Sequence, residues 1–264
     1  MGEITGHTRI FGILADPIHH VKTPQAINAH FGRLGFDGVM VPFHVSPDRL
    51  ADMVTGLKAM RSLGGFVVTV PHKTAIVALC DGVEPHARLI GAVNCVRREP
   101  DGRLVGTMLD GTGFVSGLKG AGHDVKGLSA YLAGAGGAAN ALAFALAQAG
   151  VSRLTIGNRT RGKSDDLKAR LAQAHPGLPV ETGPARVSDH DLVVNATSLG
   201  LKEGDPLPLP VDELAPHQLV AEIIMQPEIT PLIAAARAKG CRTHLGRPML
   251  DAQIALMAAF MGVP

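Results

Sequence analysis

Short apolar runs alternate with longer amphipathic ones along the chain, and glycine and proline punctuate them. "TRIFGIL" (8–14) predicts a strand, and "PQAINAHFGRLG" (24–35) a helix opened by Pro24 and closed by Gly35. "GVMVPFHV" (38–45) is a second strand, and "SPDRLADMVTGLKAM" (46–60) a second helix, with Ser46 as cap and Pro47 at its first position. "GGFVVTVPHK" (64–73) fits a buried strand bounded by glycines and Pro71, and it ends on a strongly hydrated cation, Lys73. A short helical stretch from Lys73 follows. Then come two candidate strands, "AVNCVRR" (92–98) and "RLVGTML" (103–109), joined through Pro100-Asp101-Gly102. This alternation predicts an α/β layer with a mostly parallel sheet.

A second unit is expected to begin near Asp110, with the helix "GTGFVSGLKGAG" (111–122) and the strand "SAYLA" (129–133). A glycine-rich turn, an Ala/Leu-rich helix and the strands "RLTIG" (153–157), "DLVVN" (191–195) and "HQLVAEII" (217–224) follow. "TSLGLKEGDPLPLPVDEL" (197–214) is a Pro/Gly loop of a length that usually signals function or mobility, and "TPLIAAARAKG" (230–240) is helical. The last helix, "PMLDAQIALMAAFMG" (248–262), is a candidate to return to the first unit. No internal repeat is present.

Composition narrows the function classes. The chain has 264 residues, enough for two modest domains, and a net charge of +2 that points to no polyanion partner. Aromatics make up 3% and tryptophan is absent, which argues against a stacking platform for single-stranded nucleic acid. Cys80, Cys95 and Cys241 form no CxxC spacing, so a reducing compartment without disulfides is expected. "MGEITGHTRIFGIL" lacks the layout of a secretion signal, and the run "AANALAFALAQAG" is too short to cross a bilayer. The expectation is a cytoplasmic protein with no membrane or nucleic-acid partner.

Two local patterns carry chemistry. Gly134-Ala135-Gly136-Gly137-Ala138-Ala139 lies between a strand and a helix as GxGxxA, a variant of the dinucleotide fingerprint. Gly134 permits the turn, Gly136 lets backbone approach a pyrophosphate, and Ala139 lets helix and strand pack closely. The phosphate would sit at the helix N-terminus. A turn that merely suits packing is the plainer alternative. The next strand ends in Asn158-Arg159-Thr160, with Arg161 and Lys163 behind. An NAD site would carry a carboxylate there, whereas clustered cations suit a 2′-phosphate, hence NADP; a solvated basic loop is the bland reading.

The motifs "VTVPHK" (68–73), "GAVN" (91–94), "DGTG" (110–113), "GAGGAA" (134–139), "NRT" (158–160), "NATSLG" (195–200) and "MLDAQ" (249–253) occur in one order over nearly the whole chain. Together they resemble the shikimate dehydrogenase family. The resemblance implies a substrate-binding α/β domain (1–109, completed by 247–264), a Rossmann NADP-binding domain (110–246) and a cleft between them. It implies NADP-linked interconversion of 3-dehydroshikimate and shikimate, or of a related hydroxylated cyclic carboxylate. Lys73 and Asp110 match the family's catalytic pair. An ammonium beside a forming alkoxide can stabilise it and deliver a proton, and a carboxylate can orient that ammonium. Thr23, Thr69, Asn94 and Gln253 match substrate-binding positions. Gly134, Ala135, Gly136, Gly137, Ala138, Asn158, Arg159, Thr160, Lys163, Thr197, Ile223 and Gly246 match cofactor-binding ones. A homodimer is a candidate assembly.

The pattern breaks on the substrate side. Val21 stands where a serine is usual, Val67 where an asparagine is, Met108-Leu109 replace Asn-Thr, and Met225 replaces a tyrosine. One lost hydrogen bond to a charged group costs about 1.5–3 kcal/mol, so either the substrate differs or shikimate binds poorly. His19, His20 and His72 lack metal-ligand spacing, so no metal site is expected. The rival readings are an NADPH-binding sensor with a decayed substrate site and a methyltransferase. Asn158-Arg159 weighs against the second, which wants an acidic residue for the ribose hydroxyls.

Overall fold

The computed structural model describes residues 3–183 and 186–264, so the first two residues of the N-terminal stretch lie outside it. The chain divides into two compact units, Met1–Leu109 with Ala252–Pro264, and Asp110–Asp251.

In the first unit the order is β1 (Arg9–Ala15), α1 (Thr23–Leu34), β2 (Gly38–His44), α2 (Leu50–Ala59), β3 (Leu63–Val68), β4 (Gly82–Val83), α3 (Pro85–Ile90), β5 (Cys95–Arg98) and β6 (Leu104–Thr107). The six strands form one sheet in the order β2-β1-β3-β5-β6-β4. β1 pairs in parallel with β2 and β3, but β5 runs antiparallel to both β3 and β6. Three of the five pairings are parallel, as expected, and β5 is the exception: the Pro100-Asp101-Gly102 turn is too short for a crossover and closes a hairpin instead. A correction concerns Ser46. It precedes a 3₁₀ turn, Pro47–Arg49, and its hydroxyl makes no capping bond to the helix that follows.

Large side chains fill this unit through gaps left by glycines. Phe11, Phe31 and Phe36 cluster with ring centroids 5.0–6.1 Å apart. A Cβ on Gly64 would lie 2.4 Å from the Phe11 ring, so the glycine at the head of β3 makes room for that aromatic. On Gly65 it would strike the Val96 carbonyl at 2.4 Å and Met261 at 2.8 Å, close to the C-terminal segment.

The second unit contains α4 (Asp110–Gly120), β7 (Ser129–Ala133), α5 (Gly137–Gln148), β8 (Arg153–Gly157), α6 (Arg161–Ala174), β9 (Val180–Thr182), β10 (Leu192–Asn195), β11 (Leu219–Glu222), α7 (Pro231–Ala238) and β12 (Arg242–His244). Its six strands are ordered β12-β11-β10-β7-β8-β9 and every pairing is parallel. Strands such as "LVVN" are buried at every position, as a sheet covered on both faces requires. The hydrophobic pattern does not signal α6, β9 or β12, because they are polar or short. The final helix, α8 (Arg247–Phe260), starts in the second unit and ends in the first.

Candidate functional site

In the first unit the polar residues gather where the apolar strands stop. The Thr69 N–H donates to Leu14 and the Asp16 N–H to Val70, which knits the ends of β1 and β3 together. The His72 N–H donates to Thr69 at 2.9 Å, and the Lys73 carbonyl accepts from Val93 at 2.8 Å. The segment carrying Lys73 is thus bonded on both sides of it. His72 is buried, with Nε2 2.8 Å from the Val45 carbonyl, which makes it a structural support of the turn.

Asn94 precedes β5 and is 1% exposed. Its Nδ2 donates to Gln253 Oε1 at 3.2 Å, and its Oδ1 accepts from the Leu109 N–H at 2.8 Å. One amide therefore joins three stretches remote in sequence. The structure brings Asn94 and Gln253 together and ends the Leu109 backbone beside them. Thr23 opens α1 and is buried, next to the buried Val21. His20, just upstream, has a buried Nδ1 without a hydrogen-bond partner; burial and the neighbouring His19 lower its pKa. Val67 and Met108 are buried too, and Leu109 is half-buried.

In the second unit Asp110 is buried at the first position of α4, where the helix dipole favours a carboxylate. The glycines after it have a packing role. A Cβ on Gly111 would lie 2.3 Å from the Ala141 carbonyl of α5, so the two helices approach at backbone distance.

The fingerprint turn links β7 to α5. Gly134 has φ +115°, and a Cβ there would fall 2.9 Å from the Ala196 carbonyl, so only glycine fits. Ala135 is buried, Gly137 and Ala138 are half-buried, and Gly136 is exposed, with open space where a Cβ would stand. No side chain caps the α5 N-terminus, so its first N–H groups have no side-chain acceptor there. Asn158 Nδ2 donates to the Thr160 carbonyl at 2.8 Å, and Thr160 precedes α6 without a side-chain cap. Arg159 and Lys163 are exposed and make no ion pair among the described residues. An uncapped helix start over a glycine turn, with unpaired cations at the next strand end, fits a phosphorylated dinucleotide.

Pattern reading missed what holds this region in shape. Glu222 is fully buried at the end of β11 and accepts four hydrogen bonds. The Ile223 and Ile224 N–H groups donate to Oε1, and Asn195 Nδ2 and Thr230 Oγ1 to Oε2. Burial raises its pKa and the four donors oppose that rise. Asn195 Oδ1 in turn accepts from the Thr197 N–H at 3.0 Å and hydroxyl at 2.7 Å. Gly134 lies beside Thr197, and Gly246 lies against the Ile223-Ile224 backbone, where a Cβ would be 2.4 Å from the Ile224 carbonyl. Gly134, Thr197, Ile223 and Gly246 thus converge around one buried carboxylate. The signal was a lone glutamate inside an otherwise apolar strand. Met225, two residues past that network's Ile223, is half-buried.

Known proteins share this arrangement. The profile of the shikimate dehydrogenase substrate binding domain matches residues 13–96, and that of shikimate / quinate 5-dehydrogenase matches residues 118–201. The chain belongs to the shikimate dehydrogenase family. A shikimate dehydrogenase (NADP(+)) of Rubrobacter xylanophilus is 42% identical over 94% of this chain and 88% of its own. Shikimate 5-dehydrogenase from Thermus thermophilus, solved with NADP(H) and shikimate, is 31% identical with a TM-score of 0.85 over 97% and 94% of the two chains. The 5-ketofructose reductase of Gluconobacter sp. strain CHM43 is 32% identical with a TM-score of 0.82 over 97% and 93%. Proteins similar to this chain thus include enzymes named for different substrates. Among the described residues no cluster of His, Cys, Asp or Glu could hold a metal, and no helix is long and apolar enough to cross a membrane.

Proposed function

We propose that the chain is an NADP-dependent oxidoreductase that interconverts 3-dehydroshikimate and shikimate, or a closely related hydroxylated cyclic carboxylate. The observation that carries this reading is Lys73, held in the turn that follows β3, in the same unit as the Asn94–Gln253 pair, in a chain of this family. In this assignment residues 1–109 with the C-terminal helix bind the acid, and the parallel-sheet unit binds the cofactor. Bound NADP supplies the hydride donor or acceptor. Lys73 Nζ holds the proton that the substrate oxygen takes on reduction, and Asp110 orients that ammonium and opposes its loss of charge. Thr23, Thr69, Asn94 and Gln253 bind the ring hydroxyls and carboxylate.

On the cofactor side, Gly134, Ala135, Gly136, Gly137 and Ala138 present backbone N–H groups to the pyrophosphate. Asn158, Arg159, Thr160 and Lys163 take the 2′-phosphate end. Thr197, Ile223 and Gly246 line the path towards the nicotinamide.

Substrate preference is the finer part of the proposal. Val21, Val67, Met108, Leu109 and Met225 present apolar groups where hydrogen-bonding ones are usual, which favours an acid less rich in polar contacts than shikimate, or a weak affinity for shikimate. The test is initial-rate NADP⁺ reduction with shikimate, quinate and related cyclic acids. Saturable turnover of any of these acids supports the proposal. NADPH binding without turnover on any of them would replace it with the sensor reading.

A further inference from the structure

The first unit has a concave surface at the opposite end of its sheet from Thr69 and Lys73. β1 and β3 begin there and the antiparallel β5 ends there. The groove has a volume of about 1080 Å³, and its lining includes Arg9, Arg61, Arg97 and Arg98. Four arginines line it, from three separate stretches of chain.

Their positions are set by the fold. Arg9 opens β1, with Cζ 5.8 Å from the Phe11 ring centroid. Arg97 lies over Phe260 at 4.8 Å and donates from Nε to Glu99 Oε1 at 2.7 Å. Arg98 donates from Nε to the Lys58 carbonyl at 3.3 Å and from Nη1 to the Glu99 carbonyl at 3.4 Å. Arg61 is exposed in the turn before β3. Two acids share the lining, Glu99 and Asp101. Arg97 matches the first, and Arg103, outside the lining, matches the second at 2.7 Å. Arg9, Arg61 and Arg98 have no carboxylate partner among the described residues.

Three like charges around one groove repel each other unless an anion is shared between them. Guanidinium forks match the oxygens of phosphoryl and carboxylate groups, and forks already held by packing lose less freedom on binding. We propose that this groove binds a small polyanion with two to three negative charges, carried on phosphoryl or carboxylate groups, apart from the site that holds Lys73. A long polyanion is disfavoured, because the chain's net charge is only +2 and the lining offers few rings, Phe260 and His7, for bases to stack on.

Calorimetric titration of the full chain tests this, at low salt and with saturating NADP⁺ to occupy the cofactor's own phosphate contacts. The probes are pyrophosphate and, separately, citrate. One saturable event per chain is expected for at least one probe, weakened at least tenfold by Arg61→Glu and about threefold by Arg9→Gln. Arg61 makes no contact that folding depends on, and an unchanged unfolding temperature in that variant certifies the fold. Tighter pyrophosphate binding assigns phosphoryl chemistry, and tighter citrate binding assigns polycarboxylate chemistry. No saturable binding of either probe, or binding that Arg61→Glu leaves unchanged, overturns the proposal.

Discussion

The two sheets have six strands each and organise their polar residues in opposite ways. In the parallel sheet, the cofactor candidates lie in three short stretches directly after β7, β8 and β10, with Ile223 and Gly246 added from the ends of β11 and β12. That placement follows from topology, since parallel strands deliver all their C-terminal ends to one edge. In the mixed-sheet unit, Thr23, Thr69, Lys73, Asn94 and Gln253 come from four stretches, and a hairpin breaks the common direction. There the site depends on long-range bonds such as Asn94–Gln253. A site built by topology tolerates sequence change at its margins. A site built from remote bonds invites change in what it binds, and the apolar substitutions fall mostly on that side.

The strongest way to sharpen this contrast is Lys73→Ala. Turnover should fall by about 10²–10⁴-fold while NADPH affinity, measured by fluorescence titration, stays within about twofold. A matched loss of cofactor binding would mean that the two regions are not separable. Next in size is Glu222→Gln. Its oxygens face four donors, and an amide NH₂ must oppose two of them, so unfolding by urea should show a loss of about 1–3 kcal/mol. A neutral result would remove the buried carboxylate as the organiser of that edge.

Gly134→Ala probes the turn itself. The side chain meets a left-handed backbone and the Ala196 carbonyl, at a cost of about 1–3 kcal/mol. NADPH affinity should drop by tenfold or more, with less effect on the affinity for the acid. The smallest effect is on pH dependence. Burial lowers the pKa of His190, which is hydrogen-bonded to Thr155, and of His244 below the usual imidazole value. Between those lowered values and about 6.5 the unfolded chain binds more protons, so stability falls as pH falls through that window. His190→Gln should make the slope shallower, by at most about 1.4 kcal/mol per pH unit. An unchanged slope would show that His190 does not titrate on unfolding.

The same contrast explains what the sequence made legible. The four central strands of the parallel sheet, β7, β8, β10 and β11, are short apolar runs, and the fingerprint turn is contiguous, so both are visible by pattern alone. Lys73 is visible because a cation interrupts an apolar run at a proline. Glu222 offered a similar interruption, but its meaning depends on Asn195 and Thr230, which pattern reading does not connect to it. The antiparallel β5 is hidden because direction is a property of pairing and not of the strand's own residues. The arginine groove is hidden for a related reason. Arg9, Arg61 and Arg97-Arg98 are ordinary surface cations until β1, β3 and β5 bring them to one edge.

The division of α8 has a consequence for how the protein is made. The first unit is interrupted at Leu109 and resumes only at Ala252, so its strands, made before the second unit, wait for residues 252–264 to leave the ribosome. Gln253, Met257 and Met261, which meet Asn94, Cys95 and Gly65, are among those late arrivals. The intervening unit has every strand of its sheet in hand once His244 is made, before the first unit resumes. The order of synthesis and the order of completion are therefore reversed, and the part of the chain born first is the last to acquire its full set of partners.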